Sequence, residues 1–166
     1  MLYLIIGAVF LLIDQITKFI TVAKFNEFES FTFINGVLDF TRYHNTGGPW
    51  SMLDEYSRLF ILFTFAIFVV EYFYFKKHPL THSLSKLCCA LINAGAVGNL
   101  IDRIFRGYVV DMIKVTFIDY PVFNFADCCI VVGCILMCFY VIFIQKDKSE
   151  IKTIDNEESH DGKDNN

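Results

Sequence analysis

Long apolar runs separated by short polar segments dominate this chain. Four of these runs approach the ~20 residues that an α-helix needs to cross the hydrocarbon core of a membrane, for which about 17 suffice. They cover residues 2–23, 59–75, 87–101 and 125–145. The third run becomes long enough only if its helix continues through Asp102 and Arg103. The pattern predicts an all-α integral membrane protein with four transmembrane helices.

Two of the segments between the apolar runs have the character of β-structure. Between the first and second runs, SFTFINGVLDFTRY alternates aromatic and β-branched residues around Asn35-Gly36, which is a strong hairpin signal. The stretch 108–123 is also rich in β-forming residues and carries aromatic side chains suited to a membrane boundary. We therefore expect a small extracytoplasmic β element beside the four helices.

The composition agrees with a membrane protein. Of the 166 residues, 55% are hydrophobic and 17% aromatic, and the mean hydropathy is +0.47. Only 19% are charged, which argues against intrinsic disorder and nucleic-acid binding for the chain as a whole. Much of the net charge of -4 comes from residues 146–166, with four Lys against seven Asp or Glu. We divide the chain into a membrane domain at 1–145, with outer loops at about 24–58 and 106–124, and a disordered acidic cytoplasmic tail at 146–166.

Basic residues predict the orientation in the membrane. The loop between the second and third runs, KKHPLTHSLSK, carries three lysines and no acid. Short loops rich in Lys and Arg stay in the cytoplasm. We therefore expect this loop and both termini to be cytoplasmic, and the two longer loops to lie at the outer face of the membrane.

Charged residues inside the spans need a physical reason, because each costs at least ~2.5 kcal/mol at the bilayer centre. Asp14 and Lys18 lie four residues apart on one face of the first helix and can pair. This pattern favours a structural ion pair that locks the first span to its neighbours, with a direct catalytic role as the alternative. Glu71 lies near the predicted cytoplasmic boundary, where we expect it to reach the lipid headgroups.

A polar stripe lies at the far end of the third span. Asn99, Asp102, Arg103 and Arg106 follow one another at i, i+3, i+4 and i+7 and share one helix face. This face has to contact protein or water rather than lipid. The stripe is interpreted either as a satisfied hydrogen-bond network at a helix end or as part of a reactive site.

Two further carboxylates are predicted to lie at the same outer surface. Asp111 follows the third span, and Asp127 begins the fourth, three residues after Asn124. Taken singly, Asn124 and Asp127 fit a helix N-cap, and Asp111 could pair with Arg103 or Arg106. Taken together, two carboxyl groups at a shielded surface share one proton at neutral pH. Such a pair can hydrolyse an amide by general acid and base catalysis.

Other reactive groups do not form a competing set. All six cysteines lie in the third and fourth apolar runs, where thiols behave as small hydrophobic groups. Cys134 and Cys138 share a helix face, but no His or further Cys is near them in sequence to complete a metal site. The four histidines are in loops or the tail, remote in sequence from the two aspartates. We therefore expect no metal.

Five motifs give the chain a specific resemblance. DQITK at Asp14, NTGGPWS at Asn45, GNLIDR at Gly98, GYVVDM at Gly107 and FNFAD at Phe123 occur in this order. In this respect residues 10–145 resemble the lipoprotein signal peptidases, the type II signal peptidases of bacteria. That family's fold, four helices with a small extracytoplasmic β cradle, agrees with the elements predicted above.

The resemblance implies an activity and roles for individual residues. It implies an aspartic endopeptidase with Asp111 and Asp127 as its catalytic pair, and a prolipoprotein substrate cut just before a cysteine that carries diacylglyceryl. It implies a location in the bacterial inner membrane, no metal or organic cofactor, and inhibition by cyclic peptide antibiotics of the globomycin type. Asn99, Asp102, Arg103 and Asn124 are expected to orient the pair. Asn45 and Gly47 are expected to shape the substrate groove, and Asp14 with Lys18 to anchor the first helix.

One departure and two competing classes accompany this interpretation. Gly48-Pro49 stands where the family usually has two small residues, and proline fixes φ and removes a backbone donor, so the substrate contacts of that loop are in question. A proton-coupled transporter or channel could use the aspartates as a relay, although the acids cluster at one surface and the spans show no half-to-half symmetry. A third possibility is a non-enzymatic scaffold. We expect a monomer whose partners are the bilayer and the lipidated substrate.

Overall fold

The computed structural model describes residues 1–46 and 57–145. It contains four long helices and three strands in the order α1, β1, β2, α2, α3, β3, α4. Their bounds are Leu2–Lys24 for α1, Ser30–Ile34 for β1, Leu38–Asn45 for β2, Ser57–Lys77 for α2, Ser83–Arg106 for α3, Val109–Val115 for β3 and Phe125–Phe139 for α4, which continues as a π-helical turn to Gln145. All four helices are long and apolar enough to cross a membrane, which confirms the predicted fold class.

Helix α3 lies at the centre of the bundle and packs against the other three helices. Its small residues allow this close approach. A Cβ atom at Gly95 would collide with the Ala126 carbonyl of α4, and one at Gly98 would collide with the Asp14 carboxylate of α1. Small residues at helix contacts are what membrane helices use to bring their backbones together. The spacing of α3 from α1 and α4 is therefore set by positions without side chains.

The third span is longer than its uncharged part. Helix α3 continues through Asp102 and Arg103 to Arg106 and ends at Gly107, whose φ of 82° is in the left-handed region. The Gly107 N–H donates to the carbonyl of Arg103, as in a common helix C-terminus. The helix can continue because its charged residues face protein partners, which are described below.

The three strands form one antiparallel sheet in the order β1-β2-β3. A turn at Asn35-Gly36 joins β1 to β2, with Gly36 at φ 71°, as the hairpin signal predicted. The strand β3 pairs along β2, so that Tyr43 lies opposite Asp111 and Asn45 opposite Val109. This pairing fixes where β3 presents Asp111. Because β3 directly follows α3, the sheet packs at the end of the bundle where α3 finishes, which we call the site end.

One expectation for a charged side chain was wrong. Glu71 of α2 does not simply reach towards headgroups, because its carboxylate accepts a hydrogen bond from Asn93 of α3 at 2.8 Å. A half-buried amide and a half-buried carboxylate satisfy each other at the contact of two helices. Gly47, Gly48-Pro49 and the predicted tail at 146–166 lie outside the described residues.

Candidate active site

The first carboxylate of the site is Asp111, in β3. Its side chain is completely buried, and each of its oxygens accepts one amide hydrogen bond. Asn124 Nδ2 donates to Oδ1 at 2.6 Å, and Asn45 Nδ2 donates to Oδ2 at 2.9 Å. Burial, followed by the negative charge of Asp127, raises the pKa of Asp111 to about 7, and the two amide donors act in the opposite direction. Asp111 therefore exchanges its proton near neutral pH.

The second carboxylate, Asp127, belongs to a capping box at the start of α4. Asn124 is the N-cap: its Oδ1 accepts from the Asp127 N–H at 3.0 Å, and Asp127 Oδ2 accepts from the Asn124 N–H at 3.1 Å. The other Asp127 oxygen accepts from Asn99 Nδ2 at 2.8 Å. Asp127 is therefore part of a helix cap and also lies at the same site as Asp111. Capping fixes the rotamer that Asp127 presents to the site.

Two asparagines connect the carboxylates to each other. Asn124 Nδ2 donates to Asp111 and also lies 3.1 Å from Asn99 Oδ1, while the other atoms of Asn124 cap α4 around Asp127. Asn99 in turn donates to Asp127. Both amide groups use their oxygen and their nitrogen, so each side-chain orientation is determined by the network. The asparagines expected to orient the pair are therefore in direct contact with it.

Lys18 lies fully buried behind this network. Its ammonium contacts three oxygens, at 3.0 Å from Asp14 Oδ2, 3.0 Å from Asp102 Oδ2 and 2.9 Å from Asn99 Oδ1. A buried ammonium is tolerated when its hydrogens find partners of this kind. Asp14 also accepts from the Ala126 N–H at 2.9 Å, so that it caps the first turn of α4 as well as pairing with Lys18. The pair from α1 thereby joins three helices.

The remaining charged residues of the α3 stripe have separate environments. Asp102 accepts from the Val110 N–H at 3.2 Å and lies 3.2 Å from Arg106 Nε, so it joins α3 to β3 rather than contacting either carboxylate of the site. The guanidinium of Arg103 lies over the Phe60 ring at 4.8 Å, and its Nε has no hydrogen-bond partner among the described residues. Arg103 also lies at the wall of the cavity described next.

The two aspartates line one cavity of about 300 Å³ at the site end. The polar part of the lining comes from the residues singled out by sequence, namely Asn45, Asn99, Arg103, Asp111 and Asp127. The apolar part comes from α2, α4, the first residue of β3 and the segment between β3 and α4. A cavity with a few convergent polar groups and apolar walls is typical of a binding site for a partly apolar ligand.

Sequence reasoning missed several groups of this site. Phe60 of α2 and the segment 120–123 line the cavity, and their apolar or interfacial character gave no sign of it. Gln15 donates to Asp14 at 3.0 Å and to the Gly98 carbonyl at 3.2 Å. A polar residue next to Asp14 within an apolar span was the available signal for Gln15. In residues 1–46 and 57–145, no group of three metal-binding side chains converges.

The comparison with protein families decides what kind of protein this is. Residues 6–143 match the family model described as signal peptidase (SPase) II. The chain belongs to the signal peptidase II family. It is 36% identical over 150 residues to the lipoprotein signal peptidase of Enterococcus faecalis, and the matched residues make up 90% of this chain and 93% of that protein. It is 37% identical over 145 residues to the lipoprotein signal peptidase of Lactobacillus johnsonii, and the matched residues make up 87% of this chain and 94% of that protein.

Solved structures agree with this membership. One bacterial membrane enzyme, determined by the in meso method at 2.3 Å resolution, superimposes with a TM-score of 0.78 at 31% identity and covers 89% of this chain and 90% of its own. A second, determined by the same method at 1.9 Å resolution, gives 0.77 at 30% identity and covers 86% and 93%. Membership of the signal peptidase II family, together with the four apolar helices, identifies the chain as a multi-pass bacterial membrane protease.

Proposed function

We propose that this signal peptidase II is an aspartic endopeptidase that removes the signal peptide from diacylglyceryl-modified prolipoproteins, cutting just before the lipidated cysteine. The names of its relatives support the substrate class, since both are lipoprotein signal peptidases. The observation that carries the aspartic mechanism is the convergence of Asp111 and Asp127 on one cavity, linked through Asn124.

The two carboxylates have environments suited to different tasks. Asp127 lies in the first turn of α4, where a helix dipole favours negative charge, and accepts hydrogen bonds from the Asn99 amide and from the backbone N–H of the N-cap Asn124. It serves as the general base that takes a proton from the attacking water. Asp111, with its pKa raised to about 7, carries the proton that stabilises the developing oxyanion and is later given to the leaving nitrogen.

The supporting residues have proposed roles that follow from their contacts. Asn45 holds Asp111 from β2 and lines the cavity, so it joins the substrate groove to the catalytic pair. Arg103 lines the cavity, where its guanidinium can meet a carbonyl of the substrate backbone. Lys18 acts at a distance from the reaction, since it contacts Asn99, which contacts Asp127. Asp14 and Asp102 complete the coordination of Lys18.

The apolar cavity walls suit a substrate that is anchored by its lipid. Burial of acyl chains contributes about 0.8 kcal/mol per CH₂, so specificity for the lipidated cysteine needs few polar contacts. Lys76 and Lys77 at the end of α2 and Lys86 near the start of α3 favour the cytoplasm for that end. We therefore propose that both termini are cytoplasmic, that the site end lies at the outer face, and that the enzyme acts as a monomer.

A cleavage assay with conservative variants tests the catalytic pair. Purified protein in detergent is mixed with a diacylglyceryl-modified prolipoprotein, and product formation is followed by gel mobility. Asp111→Asn and Asp127→Asn should each reduce the rate by at least ~10²-fold, because each removes general acid or base help. Asp39→Asn, the same change elsewhere in the sheet, is the matched control and should leave the rate unchanged. Cleavage that survives in either site variant would contradict the aspartic mechanism.

A further inference from the structure

A second and larger cavity lies away from the aspartates. It has a volume of about 680 Å³ and is enclosed by the N-terminal half of α1, the C-terminal half of α2 and the N-terminal half of α3. Asn99, which marks the site end of α3, does not line it. Its lining runs along α3 from Lys86 to Val97, which at ~1.5 Å per residue makes a length of about 16 Å. The lining thus follows α3 for about three helical turns.

The lining of this cavity combines apolar walls with two charged side chains at different depths. Most lining side chains are apolar, and the charged ones are Glu71 and Lys86. Glu71 lies deeper in the bundle, and its carboxylate accepts a hydrogen bond from Asn93 at 2.8 Å. Lys86 is half-buried in the second turn of α3, and its ammonium has no hydrogen-bond or ion-pair partner among residues 1–46 and 57–145.

The electrostatics at the mouth of this cavity favour an anion. Lys76 and Lys77 end α2 directly after the lining residue Phe75, with the Lys76 ammonium over the Tyr72 ring outside the lining, and the segment from them to Lys86 contains no acidic residue. Lys86 also stands near the N-terminus of α3, where the helix dipole is positive and repels a cation. An anionic group at the mouth would relieve this repulsion. Basic pockets between membrane helices at a membrane surface are sites for anionic lipid headgroups.

We infer that this cavity is a binding site for an anionic glycerophospholipid, with an acyl chain between α1, α2 and α3 and the headgroup phosphate on Lys86. A chain of methylenes matches the apolar walls along α3, and the negative charge of the headgroup matches Lys86, the cationic side chain of the lining. The acidic segment at 146–166 has matching charge, but only Ile151 and Ile154 could fill apolar space. The lipid satisfies both properties of the cavity and the acidic segment satisfies one.

Lipid retention by the intact protein tests this site. Full-length protein in detergent is incubated with phosphatidylglycerol or phosphatidylcholine, and bound lipid is counted by native mass spectrometry. Phosphatidylglycerol should be retained in preference to phosphatidylcholine. Lys86→Gln should weaken phosphatidylglycerol binding about fivefold, which is the effect of one lysine near an anionic lipid. Lys24→Gln, a lysine at the other end of α1, is the matched control and should change nothing.

A cavity-filling variant separates the lipid site from general lipid contact. Ala8 of α1 lines the cavity and its neighbour Val9 does not. Ala8→Trp should displace phosphatidylglycerol, whereas Val9→Trp should retain it. The proposal is overturned if both lipids are retained equally or if Lys86→Gln binds like the unmodified protein.

Other occupants of the cavity give different results in the same assay. If phosphatidylglycerol binds only after residues 146–166 are removed, the occupant is that segment, and the lipid proposal fails. If Ala8→Trp slows prolipoprotein cleavage without changing lipid retention, the cavity serves the substrate, and the proposal fails as well. Lipid retention is measured without cleavage, so its result is independent of the proposed catalytic pair.

Discussion

Helices α2 and α3 have similar lengths but opposite relationships to the rest of the protein. In their most apolar stretches, 44% of the α3 residues are buried within the protein and none of the α2 residues is. Accordingly, α3 carries Asn99 and Asp102, both buried and bonded to other elements, while α2 offers Glu71 for one hydrogen bond to α3. Lipid solvates an apolar helix as well as protein does, so packing in a membrane depends on small and polar residues. The contrast shows which helix supports the site.

Of the changes that compare α2 with the residues packed against α3, removal of the buried Lys18 ammonium should lower the stability most. Lys18→Met leaves Asp14 and Asp102 without their shared cation, and breaking a buried pair in this way costs about 3–5 kcal/mol. We expect the Tm in detergent to fall by about 6–20 °C, measured by thermal unfolding. Lys76→Met at the exposed end of α2 is the matched control and should leave the Tm unchanged.

A second change in the same background identifies the cause of that loss. Asp102 keeps Arg106 at 3.2 Å, so adding Asp14→Asn to Lys18→Met removes the carboxylate that has lost its cation, and part of the lost Tm should return. If the double variant is less stable by the sum of both single effects, the ion pair does not explain the role of Lys18.

Adding a side chain at the centre of α3 should have an intermediate effect. A side chain at Gly98 would press on the Asp14 carboxylate, which cannot move freely because Lys18 and the Ala126 N–H hold it. Overpacking of this kind costs about 1–3 kcal/mol, so Gly98→Val should lower the Tm by about 2–12 °C. Ala66→Val on the exposed face of α2 should have no comparable effect. Equal Tm values for the two variants would show that α3 is no more tightly packed than α2.

The smallest expected effect is a shift in the pH dependence of cleavage. Because the pKa of Asp111 is raised to about 7, its protonated form is lost as the pH rises through that value, and kcat/KM should fall above it. Asn45 donates to the ionised carboxylate and holds the pKa down. Asn45→Ala should therefore raise the pKa and move the alkaline decline to higher pH by about one pH unit.

A change on α2 provides the comparison for this pH profile. Glu71→Gln keeps a side chain that can bond Asn93 and lies outside the site, so its pH profile should match that of the unmodified protein. The measurement is kcat/KM for prolipoprotein cleavage from acid to alkaline pH. If kcat/KM of Asn45→Ala declines at the same pH as that of the unmodified protein, Asp111 is not the group that controls the decline.

Local patterns in the sequence were sufficient for the helices and for the hairpin. Membrane spans are readable because every backbone group must be satisfied within its own segment, and Asn35-Gly36 specifies its turn within a few residues. The polar residues of α3 were also identifiable, since charges such as Asp102 are costly in a membrane. The contact partner of each of these residues could not be predicted, because the partners belong to segments that are distant in sequence.

Contacts between distant segments account for what the sequence did not reveal. The pairing of β3 with β2 brings Asn45 to Asp111 across 66 residues, and no local pattern encodes that register. Phe60 enters the cavity wall only through the packing of α2, although its sequence context is that of any lipid-facing aromatic residue. Glu71 was expected at the headgroups because Asn93 could not be recognised as its partner.

The contacts of Lys18 also have a consequence for the order in which the protein assembles. During synthesis the first helix precedes its partners, and Asn99 follows Lys18 by 81 residues. Until α3 arrives, Asp14, one turn away, is the only carboxylate of the mature cluster available to neutralise Lys18. Its proximity makes the early helix tolerable in lipid, and the arrival of Asp102 and Asn99 then completes the cluster. The same lysine that stabilises the finished enzyme therefore makes insertion of the first helix depend on its immediate neighbour.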